Sequence, residues 1–93
     1  MKMTVELDGR LMTDRGTAHD LLKQQLNLPD YYGRNLDALY DLLTERADPM
    51  RIRVIHVKTM EAQLGRYGTA LLNTLWQAAE GMPNLEIEII EER

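Results

Sequence analysis

Residues 28–41 read Leu28-Pro29-Asp30-Tyr31-Tyr32-Gly33-Arg34-Asn35-Leu36-Asp37-Ala38-Leu39-Tyr40-Asp41 and join a tyrosine-rich turn to a helix. Asn35 is a suitable N-cap for a helix over about 36–46, which Pro49 closes. Asp37 and Asp41 are four residues apart, so their side chains project from the same side of this helix. Like charges at this spacing destabilise a helix by roughly 0.2–0.5 kcal/mol, and a cationic partner is the simplest reason for their presence.

Alternating apolar and polar residues outside this stretch predict three strands. The alternating positions are Met3, Val5 and Leu7 before the Asp8-Gly9 turn, then Ile52, Val54 and His56, and finally Leu85, Ile87 and Ile89.

Three further helices are predicted besides the one over 36–46. The first, over about 17–26, begins with a Thr17-x-x-Asp20 capping pattern and is stopped by Asn27 and Pro29. A short helix over 59–64 has Thr59 as its cap. The last helix covers 69–80 after a turn at 65–68, ends at Gly81, and has a predicted core face of Leu71, Leu72, Leu75, Trp76 and Ala79.

The predicted order is therefore β-α-α-β-α-α-β, which favours a parallel sheet with right-handed crossovers. Strands covered on both faces are usually continuous apolar runs, whereas the first and third strands here alternate. We therefore expect a two-layer α/β fold, with a three-stranded parallel sheet and helices covering mainly one face. A chain of 93 residues is expected to form one domain over 1–93.

Charge and composition narrow the classes of function. The net charge is −4, and residues 27–48 carry −3 of it, from five acidic and two basic side chains. An acidic patch repels nucleic acid and attracts basic proteins. The sequence has no cysteine, no apolar run near the ~20 residues of a membrane span, and no signal-peptide pattern. We expect a cytoplasmic protein that binds neither nucleic acid nor membrane.

The helix over 36–46 has an outer flank with the composition of a protein interface. A helical wheel buries Leu39, Leu42 and Leu43. The flank carries Asp37, Asp41 and Thr44, with Leu36 and Tyr40 at its border. Carboxylates beside an aromatic suit contact with arginine or lysine side chains of a partner.

Structural explanations exist for the same residues. Asp37 lies in the first turn, where the helix dipole favours a carboxylate. The acidic side chain of Asp41 is explained equally well if this side of the helix simply faces solvent. Tyr31 and Tyr32 could cover the core with their hydroxyls in water, and Gly33 is expected to supply a left-handed turn.

Catalytic and metal-binding patterns are weak. His19 and His56 are the only histidines, they lie on different predicted elements, and no close-spaced pair of metal ligands is present. Asp37 and Asp41 could form an acid–base pair, but so small a domain offers little room for a deep pocket. We expect no enzyme activity, no metal and no cofactor.

The motif over residues 31–41, Y-Y-G-R-N-L-D-A-L-Y-D, resembles the barstar family of intracellular ribonuclease inhibitors. The resemblance extends over nearly the whole chain in size and element order, including the leucine-rich first helix and Ala79-Glu80-Gly81. It implies a small three-stranded parallel sheet with helices. It also implies one-to-one blocking of a guanyl-specific, barnase-type ribonuclease, whose phosphate pocket receives the carboxylates.

The resemblance assigns a role to individual residues. Asp41 matches the dominant acidic anchor of the family and Asp37 its acidic neighbour, while Tyr31 matches the tyrosine that packs on the enzyme. The remaining partner-binding residues that it implies are Gly33, Asn35, Leu36, Tyr40 and Thr44, with Tyr40 in place of a tryptophan.

Three further positions depart from the family pattern. Arg34 stands where the family has a glutamate, Arg46 falls near a second interface tryptophan, and Gln77 falls at the position of an acid that contacts the enzyme. The expected partner is a basic protein, most simply a secreted microbial ribonuclease, bound by a monomer. Two alternatives stay open: a different basic partner (another ribonuclease or a toxin), or a structural module that forms homo-oligomers.

Overall fold

A computed structural model describes residues 2–90 as a parallel sheet packed on helices. The elements, in chain order, are β1 (Met3–Asp8), a 3₁₀ turn (Gly9–Leu11), α1 (Arg15–Leu26), α2 (Leu36–Glu45), β2 (Met50–Ile55), α3 (Val57–Leu64), α4 (Arg66–Gly81) and β3 (Leu85–Ile90). The three strands are parallel in the order β1-β2-β3, with Val5 opposite Ile52 and Ile52 opposite Ile87. The predicted fold class and element order are confirmed.

The two faces of the sheet differ in chemistry. Val5, Leu7, Ile52 and Val54 point into the core, where they are at most 5% exposed. The opposite face carries a ladder of charges, in which Arg53 lies 3.6 Å from Glu6 and 3.4 Å from Glu88. Ion pairs on such an open face add little stability, so the apolar face and its helices hold the fold together.

Helix α1 begins two residues before its predicted start. Asp14, not Thr17, is the N-cap, because the Asp14 carboxylate accepts a hydrogen bond from the Thr17 N–H at 2.8 Å. This bond holds the pKa of Asp14 below its usual value. The predicted Thr17-x-x-Asp20 capping pattern is wrong, since Thr17 already lies inside the first turn.

The segment between β2 and α4 also differs from the prediction. His56, expected in a strand, adopts a left-handed conformation (φ 55°) and starts α3 at Val57, so Thr59 is not the cap. Helix α4 begins at Arg66, because Gly65 (φ 61°) alone makes the break between the helices. Only the first residue of the predicted 65–68 turn is therefore a turn.

The core face of α4 is mostly as predicted. Leu71, Leu72 and Leu75 are buried, but Trp76 is 42% exposed and is not a core residue. Ala78 is buried instead, and Ala79 is half-buried. The error follows from the helical wheel, where Trp76 lies at the border of the apolar stripe.

Candidate functional site

Helix α2 presents an outer flank of polar side chains, which we define as Asp37, Tyr40, Asp41 and Thr44. Both aspartates are exposed, Tyr40 is 38% exposed and Thr44 is half-buried. On the opposite side Leu39 and Leu43 are buried, which fixes the rotation of the helix about its axis. The Thr44 hydroxyl donates to the Tyr40 carbonyl at 2.9 Å, so this hydroxyl is used within the helix.

The start of α2 is set by Asn35, as predicted. The Asn35 Oδ1 accepts from the Ala38 N–H at 2.8 Å, and the Asn35 amide nitrogen donates to the Gly33 carbonyl at 3.1 Å. These bonds tie the loop to the first turn and thereby fix where Asp37 projects.

The predicted left-handed conformation of Gly33 is wrong. The left-handed residue is Arg34 (φ 56°), one position later. A Cβ on Gly33 would lie 3.1 Å from the Asn35 Nδ2 and 3.3 Å from the Ala38 Cβ, both closer than an ordinary contact. Glycine therefore fits at position 33 because α2 packs closely against it.

Tyr31 and Tyr32 have different environments. Tyr31 is 79% exposed and stands free on the surface, whereas Tyr32 is buried with its hydroxyl inside the protein and not in water. The Tyr32 hydroxyl lies 2.6 Å from the Nδ1 of His19, whose Nε2 lies 2.6 Å from the Tyr67 hydroxyl. This chain of hydrogen bonds anchors the loop before α2 to helices α1 and α4.

His19 is a core residue at 1% exposure. Burial lowers the pKa of His19, and the nearby positive charge of Arg34 lowers it further. A neutral imidazole has one donor and one acceptor nitrogen, so one of the two tyrosine hydroxyls donates to His19 and the other accepts from it.

The predicted site residues divide between two neighbouring grooves. Tyr31, Gly33 and Asp41 line a groove of about 210 Å³, which also includes Glu45. Asn35, Leu36 and Asp37 line a larger open groove of about 390 Å³, between α2 and the start of α1. Tyr40 and Thr44 line neither groove, and lie on the exposed side of α2.

The carboxylates of the outer flank form no ion pair within the described part of the chain. Asp37 and Asp41 each lack a lysine, arginine or histidine nitrogen within 4.0 Å among residues 2–90. The two nearest arginines in sequence are bound elsewhere. Arg34 pairs with Asp20 at 2.8 Å and donates to the Gly16 carbonyl at 3.1 Å, and Arg46 donates to the Leu26 carbonyl. The negative charge of the flank is therefore available to a partner.

Residues 2–90 bring together no three histidine, aspartate or glutamate side chains that could hold a metal ion. The helices of this described region are also too short or too polar to span a membrane. Sequence reasoning missed Arg15 and Tyr67, which share the larger groove with Asp37. They come from α1 and α4, and no local sequence pattern links them to α2.

Comparison with known proteins identifies a family and a curated relative that this chain resembles. The family model described as "Barstar (barnase inhibitor)" matches residues 2–90. A curated protein of Bacillus subtilis (strain 168), named "Putative ribonuclease inhibitor YrdF", is 39% identical over 87 residues. That alignment covers 92% of this chain and 94% of the relative.

Proposed function

Since the chain belongs to the barstar family, we propose that it inhibits a barnase-type, guanyl-specific ribonuclease by covering the active site of the enzyme. The covering surface is the outer flank of α2 with the loop before it. The chain acts as an inhibitor and has no enzyme activity of its own.

One observation carries this proposal: Asp37 and Asp41 are exposed and uncompensated while Arg34 and Arg46 are bound to backbone carbonyls nearby. Like charges one helical turn apart repel each other, and a cation of the partner that binds between them would relieve this repulsion.

The mechanism follows from the chemistry of a ribonuclease site. Such a site binds the phosphate of RNA through cationic side chains. Asp41, in the middle of α2, enters this pocket as a substitute for the phosphate, and Asp37 pairs with a second cation. Tyr31 and Tyr40 supply contact area around the carboxylates, because exposed aromatic rings bury a large surface with little loss of conformational freedom.

The other implied residues shape the surface more than they bind. Asn35 is occupied by its cap and by Gly33, so it holds the loop in position. At Gly33 and Leu36 the loop and the first turn of α2 approach the partner closely. Thr44 belongs to the surface of the outer flank that the partner covers. This division of roles predicts that the aspartates dominate the affinity.

The proposal is tested by titrating the protein against a purified barnase-type ribonuclease at low and at physiological salt. Asp41→Asn removes the central charge without changing the shape of the side chain. Glu6→Gln is its matched control, because Glu6 lies on the opposite face of the sheet. We expect the inhibition to weaken as the salt concentration rises. Asp41→Asn should reduce the binding free energy by about 2–5 kcal/mol, whereas Glu6→Gln should inhibit as well as the wild type.

Equal inhibition by both variants would contradict the role of Asp41. An absence of inhibition by the wild-type protein would contradict the choice of enzyme. We further propose that the inhibitor works inside the cell, as a monomer. Sedimentation at several protein concentrations tests the monomeric state. A dimer that the substitution Asp41→Asn dissociates would contradict it.

A further inference from the structure

The larger groove differs in charge from the outer flank of α2. Its walls include Arg15 and Gly16 at the start of α1, Arg34 in the loop, and Asp37 at the start of α2. It also shares Asn35 and Leu36 with the implied partner-binding residues, so a protein docked on the flank would cover it.

Arg15, one of the two arginines that line the larger groove, forms no ion pair among residues 2–90. Its guanidinium carbon lies 4.3 Å from the centre of the Tyr67 ring, and no described carboxylate oxygen is within 4.0 Å of it. Arg34 differs, because it already pairs with Asp20 and with the Gly16 carbonyl. Stacking on Tyr67 favours a position of the planar guanidinium at the edge of an open groove.

A guanidinium held in this way is suited to a carboxylate. Its N–H groups form a rigid fork that can bind both oxygens of a carboxylate, and part of the conformational entropy has been lost before binding. The charge of Asp37 in the same groove favours a singly charged group over a doubly charged free phosphate.

We propose that this groove receives an aspartate or glutamate side chain of the partner ribonuclease and that Arg15 pairs with it. This inference rests on the proposed function, since docking on the outer flank of α2 brings the partner over the groove. The ribonuclease then carries a basic centre for Asp37 and Asp41 and an acidic residue beside it. Selectivity follows, because an enzyme with a cation at that position would be repelled by Arg15.

The sign of a charge reversal tests the proposal. Arg15→Glu should retain the fold, because an acidic residue in the first turn of α1 is favoured by the helix dipole. If Arg15 meets a carboxylate, Arg15→Glu weakens binding to the purified ribonuclease by about tenfold or more, and Arg15→Gln weakens it less. If Arg15 meets a cation or nothing, Arg15→Glu binds equally well or more tightly, which would overturn the proposal.

Lys58→Glu is the matched control, since Lys58 is exposed on α3, away from the groove. It makes the same change in net charge and should leave binding unchanged or slightly tighter. Asp41→Asn in the same series separates the two claims. Loss of binding in Asp41→Asn with no change in Arg15→Glu would uphold the proposed function and refute the role of the groove.

A second measurement decides the chemistry of the groove without a ribonuclease. The protein is titrated with N-acetylglutamate amide, which has one carboxylate, and with inorganic phosphate at matched ionic strength, while the backbone NMR signals of Gly16 and Leu36 are followed. Shifts with the carboxylate that disappear in Arg15→Gln support the proposal. Shifts that persist in Arg15→Gln, or that are larger with phosphate than with the carboxylate, would refute it.

Discussion

The hydrogen bond between Tyr32 and His19 connects the stability of the fold to the position of the binding loop, and the substitution Tyr32→Phe removes this bond alone. The substitution removes one oxygen atom and leaves the ring in place. His19 is 1% exposed and Tyr32 is 5% exposed, so water has no easy access to the unpaired Nδ1. Leaving a buried polar group without a partner costs about 1–3 kcal/mol.

In a domain of this size, each kcal/mol lowers the melting temperature by about 4–8 °C. The assay is urea and thermal unfolding followed by circular dichroism. Tyr67→Phe is the matched control, because Tyr67 is only half-buried and water can replace its hydroxyl beside His19. We expect Tyr67→Phe to cost less than Tyr32→Phe. Unfolding of Tyr32→Phe within about 0.5 kcal/mol of the wild type, or a larger loss in Tyr67→Phe, would refute this account of the loop anchor.

Three further predictions concern stability. The lowered pKa of His19 means that the folded protein favours the neutral imidazole. The stabilisation that this gives is fully present above the ordinary pKa of 6.5 and is lost as the pH falls below that value. As the pH is lowered below 6.5, the free energy of unfolding should fall in the wild type and change less in His19→Gln. Equal dependence on pH in the two proteins would contradict the prediction. Asp14→Ala should destabilise the protein by about 1 kcal/mol through loss of the α1 cap, with Asp14→Ser as the control that restores it. Gly9→Ala should destabilise it strongly, because the new Cβ would lie 2.7 Å from the Met60 Cβ. Gly81→Ala, which meets open space, should be tolerated, so similar denaturation midpoints for the two glycine variants would be inconsistent with this packing.

The main elements were predictable because their signals are local. The apolar alternation of the strands and the Asn35 cap of α2 each depend on residues within one turn or one strand, and tertiary packing agrees with them. The start of α1 was harder, because Asp14 and Thr17 are both good caps three residues apart. Nothing in the sequence decides which of them lies outside the helix.

The features that the sequence did not predict depend on contacts between distant residues. Gly33 was the obvious candidate for a left-handed turn, but the left-handed residue is Arg34, whose side chain donates to the Gly16 carbonyl of α1. The burial of His19 depends on Tyr32 and Tyr67, which lie 13 and 48 residues away along the chain. The groove at Arg15 is likewise made by three separate segments, so only the folded chain reveals it.

The central claim is that the outer flank of α2 occupies the active site of a guanyl-specific ribonuclease. It is tested most directly by measuring the affinity of the protein for that enzyme with and without saturating guanosine 3′-monophosphate. Competition is expected, because the nucleotide phosphate and the Asp41 carboxylate would need the same cationic pocket. An unchanged affinity in the presence of the nucleotide would show that the protein binds elsewhere on the enzyme, and would contradict the claim.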